Sequence, residues 1–218
     1  MSEIIHTYTV QNPWMMIPQD RNDFYAEEFV RWKNGWTPER YIEVVYIFLF
    51  NEHGELIIQK RSKEKTHNPN LLDKSVGWHV QYGDTPNLTA MIETIQELQT
   101  PSIVLHTPSD FLRTYEVLKN YITTSALLQY IDTRDSISQK IIGNEIVSIW
   151  NRIHTYFGIY GWRVKNVDKE AKWILYYSLE DLTEEIELHP EIFTYDLCDA
   201  LIRYSGDMNQ FLASVWLK

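Results

Sequence analysis

Glu93 and Glu97 stand four positions apart in a stretch patterned as a helix, with Gln96 between them. In a helix that spacing places the two carboxylates one turn apart on one side, with Gln96 at i+3 from Glu93. Such a pair can share a hard cation, Mg²⁺ or Mn²⁺, which takes oxygen ligands and keeps several of its waters. A metal held there can bridge a diphosphate and activate water for attack at phosphorus, one Glu accepting the proton. On spacing alone, a solvated surface helix is the commoner home for two such acids, which repel mildly unless a cation lies between them. The neighbouring sequence has to decide between these two readings.

The element that must position the pair begins at Asp84 or Thr85, either of which can cap a helix that carries Pro86 in its first turn. Leu88, Met91, Ile92, Ile95 and Leu98 recur at the helical period, so this face is expected to dock on a core and the acids to point away from it. Pro101 stops the helix. Upstream, EVVYIFLF (43–50), the turn NEHGE and LIIQKRS predict a hairpin, followed by a loop-rich stretch and a short strand over 74–80. Downstream, helices are expected over 109–120 and 179–187, strands near 121–130, 153–160 and 172–177, and terminal helix over 194–217. The first forty residues are irregular apart from a short helical pattern near Asp23–Trp32.

Length and charge narrow the function classes. The 218 residues, 44% hydrophobic, suffice for one sizeable core. Thirty acidic against twenty basic residues give a net charge of −10, which argues against a nucleic-acid polymer or an anionic membrane surface as partner. Bound phosphates would need a metal or a local group of Lys and Arg. The single cysteine, Cys198, precludes an internal disulfide and fits a reducing compartment, so a cytoplasmic location is expected. The longest apolar run, Val44–Phe50, is too short to span a bilayer. The aromatic content suits core packing and also a homodimer surface.

The run LIIQKRSKEKTHNPNLLDKSVGWHVQYGDTPNLTAMIETIQEL (56–98) resembles the Nudix superfamily, and within it the branch similar to isopentenyl diphosphate isomerase. Gln59, Lys60, Arg61 and Ser62 match an apolar-Gln-Lys-Arg-Ser phrase. Lys65, Pro69 and Asp73 match a Lys-x-x-x-Pro-x-x-x-Asp loop, and Ser75, Val76, Gly77, His79, Val80 and Gly83 match the strand and turn before the family's signature helix. Later, Glu170 and Trp173 fit a strand phrase, and His189, Pro190, Glu191, Phe193 and Thr194 fit a His-Pro-Glu-x-Phe-Thr phrase. The resemblance implies an α/β (α+β) fold, a Nudix-type α/β/α sandwich with a mixed sheet flanked by helices. It also implies an Mg²⁺ site and a small-molecule diphosphate substrate.

The family signature is altered at several of its positions. Trp78 stands where a Gly is expected, Asp84 where the first Glu is, Ile92 where an Arg is, Gln96 in place of one acid, and Gln99 in place of the closing Gly. Ile92 cannot pair with a carboxylate, and Gln96 removes a negative charge, so a divalent cation is held more weakly. Gln99 makes a left-handed cap costlier than Gly would. The metal ligands implied are Glu93, Glu97, Gln96, Asp84 and Glu170, with Glu93 and Glu97 catalytic. Trp78, His79, Arg61 and Lys65 are the substrate-facing candidates, although a packed structural role for His79 and a solvated hairpin end for the basic residues are the commoner explanations. Isomerase chemistry is not expected, because the family's isomerases use a Cys before the signature helix and Cys198 lies near the other end of the sequence.

The expected organisation is an N-terminal extension (1–40), a Nudix-like domain (41–200) with 101–150 as an insertion shaping a pocket or a dimer surface, and a C-terminal helix (201–218). The expected function is a divergent Nudix hydrolase cleaving a nucleoside-diphosphate-type or other organic diphosphate. The alternative is a domain that has kept the fold and binds a ligand or protein without turnover.

Overall fold

The apolar run becomes the central strand, β3 (Arg40–Phe50), in a computed structural model that describes residues 3–161 and 171–216. Its side chains alternate between two cores: Val44, Tyr46, Phe48 and Phe50 enter one, Val45, Ile47 and Leu49 the other. Burial on both faces explains why the sequence is continuously apolar there rather than alternating.

Both edges of β3 are also occupied. One edge runs parallel to β9 (Glu145–Ile159), from Ile42 opposite Asn151 to Phe50 opposite Ile159. The other edge is shared by three strands: β1 (Ile4–Thr9) at Arg40–Ile42, β6 (Val76–His79) at Val44–Ile47, and β4 (Leu56–Arg61) at Phe50. The hairpin expected from 43–61 is therefore joined at a single register position, Phe50 opposite Leu56. With β1 and β6 already on that edge, β4 turns away and pairs instead with β10 (Ala171–Tyr177) and the short β5 (Leu72–Asp73).

The full sheet has ten strands and is mixed, parallel at β3–β9 and at β7 (Ser102–Leu105) with β8 (Ala126–Ile142), antiparallel elsewhere. Helices α1 (Arg21–Lys33), α3 (Pro108–Leu118), α4 (Leu179–Leu188) and α5 (Tyr195–Trp216) contribute to one core. Helix α2 (Pro86–Leu98) contributes to the other, giving the expected sandwich. The first forty residues are woven into the same body: β1 pairs with β3 and with β2 (Met16–Asp20), and Phe24 of α1 is fully buried. Within 101–150, the strand expected to end near 130 runs on to Ile142 and turns at Gly143 into β9, making a long hairpin. The terminal helix runs Tyr195–Trp216, where the pattern over 194–217 predicts it, and so crosses the expected domain boundary at 201. Among the described residues, no helix is long and apolar enough to cross a membrane.

Helix α2 forms where expected, with Thr85 as the cap accepting from the Leu88 N–H and Pro86 in its first turn. Its orientation is the reverse of the expectation. Thr89, Ala90, Glu93, Thr94, Glu97 and Leu98 are buried, while Leu88, Met91 and Ile95 are exposed. Polar anchors override the apolar period: Gln59 on β4 donates to Glu97, and Thr94 bonds Ser102 on β7. Gln99, at the expected Gly position, adopts the left-handed conformation with φ 52° and ψ 30°. A side chain there is strained by about 1 kcal/mol relative to Gly.

A buried carboxylate ties the N-terminal strand to this sheet. Glu43 on β3 accepts from Tyr8 on β1 (2.9 Å) and meets His6 Nδ1 on β1 (3.0 Å) and His154 Nε2 on β9 (2.6 Å). Burial opposes its ionisation, but His154, His6 and Tyr8 together bring its carboxyl below the usual range. A depressed native value stabilises the fold above the ordinary carboxylate pKa, and that contribution is lost as the pH falls through the native value. Two stability outcomes follow. Thermal melts at pH 7 should show Glu43→Gln less stable by about 2–3 kcal/mol, with the gap closing as the pH drops below about 4.5. Gln99→Gly should raise the melting temperature by about 2–4 °C.

Candidate functional site

The residues of the Lys-x-x-x-Pro-x-x-x-Asp loop and the strand after it close around a cavity of about 180 Å³. Its base is a buried charge cluster centred on Asp73 of β5. One carboxylate oxygen accepts from Lys74 Nζ (2.9 Å), the Lys74 backbone N–H (2.9 Å) and Thr194 Oγ1 (2.9 Å). The other accepts from Arg61 Nη1 of β4 (3.0 Å). Burial would raise the Asp73 pKa, but Lys74 and Arg61 hold it well below the usual carboxylate range. Lys74 Nζ also lies 3.6 Å from Asp196 of α5 and 3.9 Å from the centre of the Tyr46 ring, and Lys140 of β8 reaches the same Asp196 oxygen at 3.2 Å. Two far-apart sequence phrases thus meet, Thr194 of His-Pro-Glu-x-Phe-Thr on Asp73 of the loop.

The loop itself is fastened. Arg61 donates to the carbonyls of His67 (2.9 Å) and Asn68 (3.2 Å), and Asn68 exchanges two hydrogen bonds with Ile141 near the end of the β8–β9 hairpin. Asn68 and Asn70 take positive φ, a conformation Asn tolerates better than most residues. The 101–150 segment therefore shapes the pocket, supplying Lys140 to its wall and the hairpin that holds the loop.

Above this base, Trp78 of β6 carries two cations on its ring, Lys65 Nζ at 5.2 Å and Arg21 Cζ at 5.6 Å from the centroid. Its Nε1 is buried with no hydrogen-bond partner. His79 Nε2 bonds the Tyr25 hydroxyl of α1 at 2.9 Å, and the Tyr25 ring lies 4.2 Å from that of His67. Both histidines are held neutral. Burial, then Lys140, Arg21, Arg61 and Lys65, brings His67 down to about 3, and burial with Arg21 and Lys140 brings His79 well below its ordinary value.

Of the residues singled out by sequence, Arg61, Lys65, Trp78, His79 and Glu97 meet at this cavity. Glu93 is buried on the same helix, Gln96 is exposed, and Asp84 lies in the turn before α2. Glu170 lies outside the described residues. Arg21, Tyr25, Gln59, Lys74, Lys140 and Asp196 also line the cavity and were not anticipated. Only Lys74 and Gln59 had a signal, their place within the matching phrases. Cys198, on α5, packs against the core.

Among the described residues, no three His, Cys, Asp or Glu side chains group where they could hold a metal ion. Glu97 accepts from the Gln59 amide at 2.8 Å, and Gln96 lies on the exposed side of the helix. The cavity gathers charges of both signs, with one more cation than anion: Arg21, Arg61, Lys65, Lys74 and Lys140 against Glu64, Asp73, Glu97 and Asp196. Neutral imidazoles, an indole N–H and this cation surplus suit an anionic ligand with an aromatic or polar body. Gly77 makes the arrangement fit, because a Cβ there would lie 2.6 Å from Cε of the pinned Lys74. Gly77→Ala is expected to destabilise the fold by about 1–3 kcal/mol, measured by denaturant unfolding.

No family model matches the chain. A curated relative, an uncharacterised Nudix hydrolase of Listeria innocua, is 42% identical over 55 residues, which are 25% of this chain and 32% of the relative. A second, from Listeria monocytogenes, is 40% identical over the same length. The chain thus spans about a third of the curated relatives it matches. Among solved structures, a Deinococcus radiodurans protein superposes with a TM-score of 0.53 at 21% identity, over 74% of this chain and 82% of that one. A Nudix hydrolase of Alicyclobacillus acidocaldarius gives a TM-score of 0.50 at 12% identity, over 80% of this chain and 95% of that one. The MutT protein of Methanosarcina mazei gives 0.50 at 16% identity, over 77% and 94%. The chain thus shares its fold with these structures over about three-quarters of its length, and a quarter of it is similar in sequence to the two curated Nudix hydrolases.

Proposed function

We propose that this chain is a Nudix domain that binds an organic diphosphate in the cavity between β4, β6 and the loop at 62–71, without metal-dependent turnover. One observation carries the reading: five Lys and Arg side chains converge on one cavity in a chain whose net charge is −10. Local concentration of cations against the overall charge is what an anionic ligand requires. Arg61 and Lys74 are committed to Asp73 and form the fixed base, while Arg21 and Lys65 flank Trp78 at the upper wall. The indole N–H offers a further donor, and Tyr25, Trp78 and His67 supply aromatic surface for the ligand's organic part. Placement in the isomerase-like branch rests on the loop and strand phrases from Gln59 to Gly83 and belongs to the same proposal.

A Mg²⁺-dependent diphosphate hydrolase is the second reading. It is favoured by the burial of Glu93 and Glu97 one turn apart on the helix that the family's signature occupies. The two readings part on turnover. Calorimetric titration with ADP should give binding at millimolar affinity or tighter, and Lys140→Glu should weaken it about tenfold or more, since a reversed charge in the wall repels the ligand. Chromatographic detection of AMP from ADP and ADP-linked sugars incubated in Mg²⁺ or Mn²⁺ should show no turnover. Turnover abolished by a Glu93→Gln, Glu97→Gln double variant would replace the first reading with the second, and absence of ADP binding would overturn the first.

A further inference from the structure

The cavity meets its anion with side chains of two kinds: those locked into the Asp73 and Asp196 cluster, and those gathered on Trp78. The second group occupies an unusual place. Trp78 stands at the position where the family's signature has Gly, packs against the core that α2 helps form, and lines the cavity together with Glu97. A large aromatic face there attracts cations, and two are present, Lys65 at 5.2 Å and Arg21 at 5.6 Å. Arg21 is bonded to Glu3 at 2.6 Å, so its guanidinium is turned in part to the N-terminal strand.

Lys65 is held by backbone rather than by chance. Its N–H donates to the Ser62 carbonyl. Just beyond it, the loop is clamped to Arg61 through the His67 and Asn68 carbonyls and to Ile141 of the hairpin through Asn68. Lys65 thereby lines the same cavity as Glu97, one of the two signature acids on α2. An ammonium is a compact point charge with three donors, able to meet carboxylate and phosphate oxygens together.

We propose that Lys65, seated on Trp78, takes the part of the divalent cation, so that the cavity captures its diphosphate without metal. The proposal rests on the reading of the cavity as a diphosphate site and goes beyond it by naming the group that neutralises the ligand. In this arrangement, Trp78 at the expected Gly position supplies the platform for a lysine-bridged contact in place of a metal-bridged one. The lowered pKa values of His67 and His79, to which Lys65 contributes after burial and the other cations, agree with a positive field already present in the empty cavity.

The test is calorimetric titration of the intact chain with inorganic pyrophosphate, in EDTA and in Mg²⁺, comparing wild type, Lys65→Ala and Lys65→Arg. Wild type should bind in EDTA no more weakly than in Mg²⁺. Lys65→Ala should lose about tenfold or more in EDTA and regain part of it when Mg²⁺ is added, and Lys65→Arg should keep most of the affinity. Wild-type binding that requires Mg²⁺ would overturn this inference and leave the diphosphate reading standing, as would Lys65→Ala binding in EDTA as tightly as wild type. No pyrophosphate binding in either medium would overturn the diphosphate reading and this inference with it.

Discussion

The buried carboxylate of Asp73 is the constraint on which the site depends. It gathers Arg61, Lys74 and Thr194 from three separate elements, and through Lys74 it reaches Asp196 and Lys140. A buried charge is tolerable only when its neighbours answer it, and the removal of one partner leaves the rest uncompensated. Each member therefore fixes the others. The loop at 62–71, the end of the β8–β9 hairpin and the start of α5 are brought to one place by this requirement as much as by apolar packing. The cavity is the space those elements enclose.

Much of the fold was legible because the apolar pattern carries it. The central strand, the cap and stop of α2, and helices α1, α3 and α4 follow from periodicity and from Thr85, Pro86 and Pro101. Strands β1, β2 and β7 were hidden, being short and lacking a sustained alternation. The hairpin half at 131–152 was hidden for a different reason: it is polar on its exposed positions and gains its register from β9 across the turn at Gly143. The face of α2 could not be read from spacing, because Gln59 and Ser102, both distant in sequence, decide which side turns inward.

The site was legible in part. Arg61, Lys65, Trp78, His79 and Glu97 were reachable from the family phrases, since those phrases fold into the cavity wall. Arg21, Tyr25, Lys140 and Asp196 come from stretches with no matching phrase, and only the fold brings them there. Trp78, which lacks the room of a Gly, is the platform for two cations, and Gln96 faces outward where its missing charge costs the cavity nothing.

The parallel pairing of β3 with β9 has a consequence for how the chain comes to be folded in the first place. Phe50 lies opposite Ile159, so the most apolar strand of the molecule must wait for a partner roughly a hundred residues later. At a synthesis rate of about 5–20 residues per second, that is on the order of 5–20 s during which Val44–Phe50 has emerged without its parallel neighbour. Low net charge and strong β-propensity make such a segment prone to wrong pairing while it waits. Strand β6, which is complete by His79, is positioned to cover one edge of it early. A short strand that forms one wall of the ligand cavity would thus also be the first guard against aggregation.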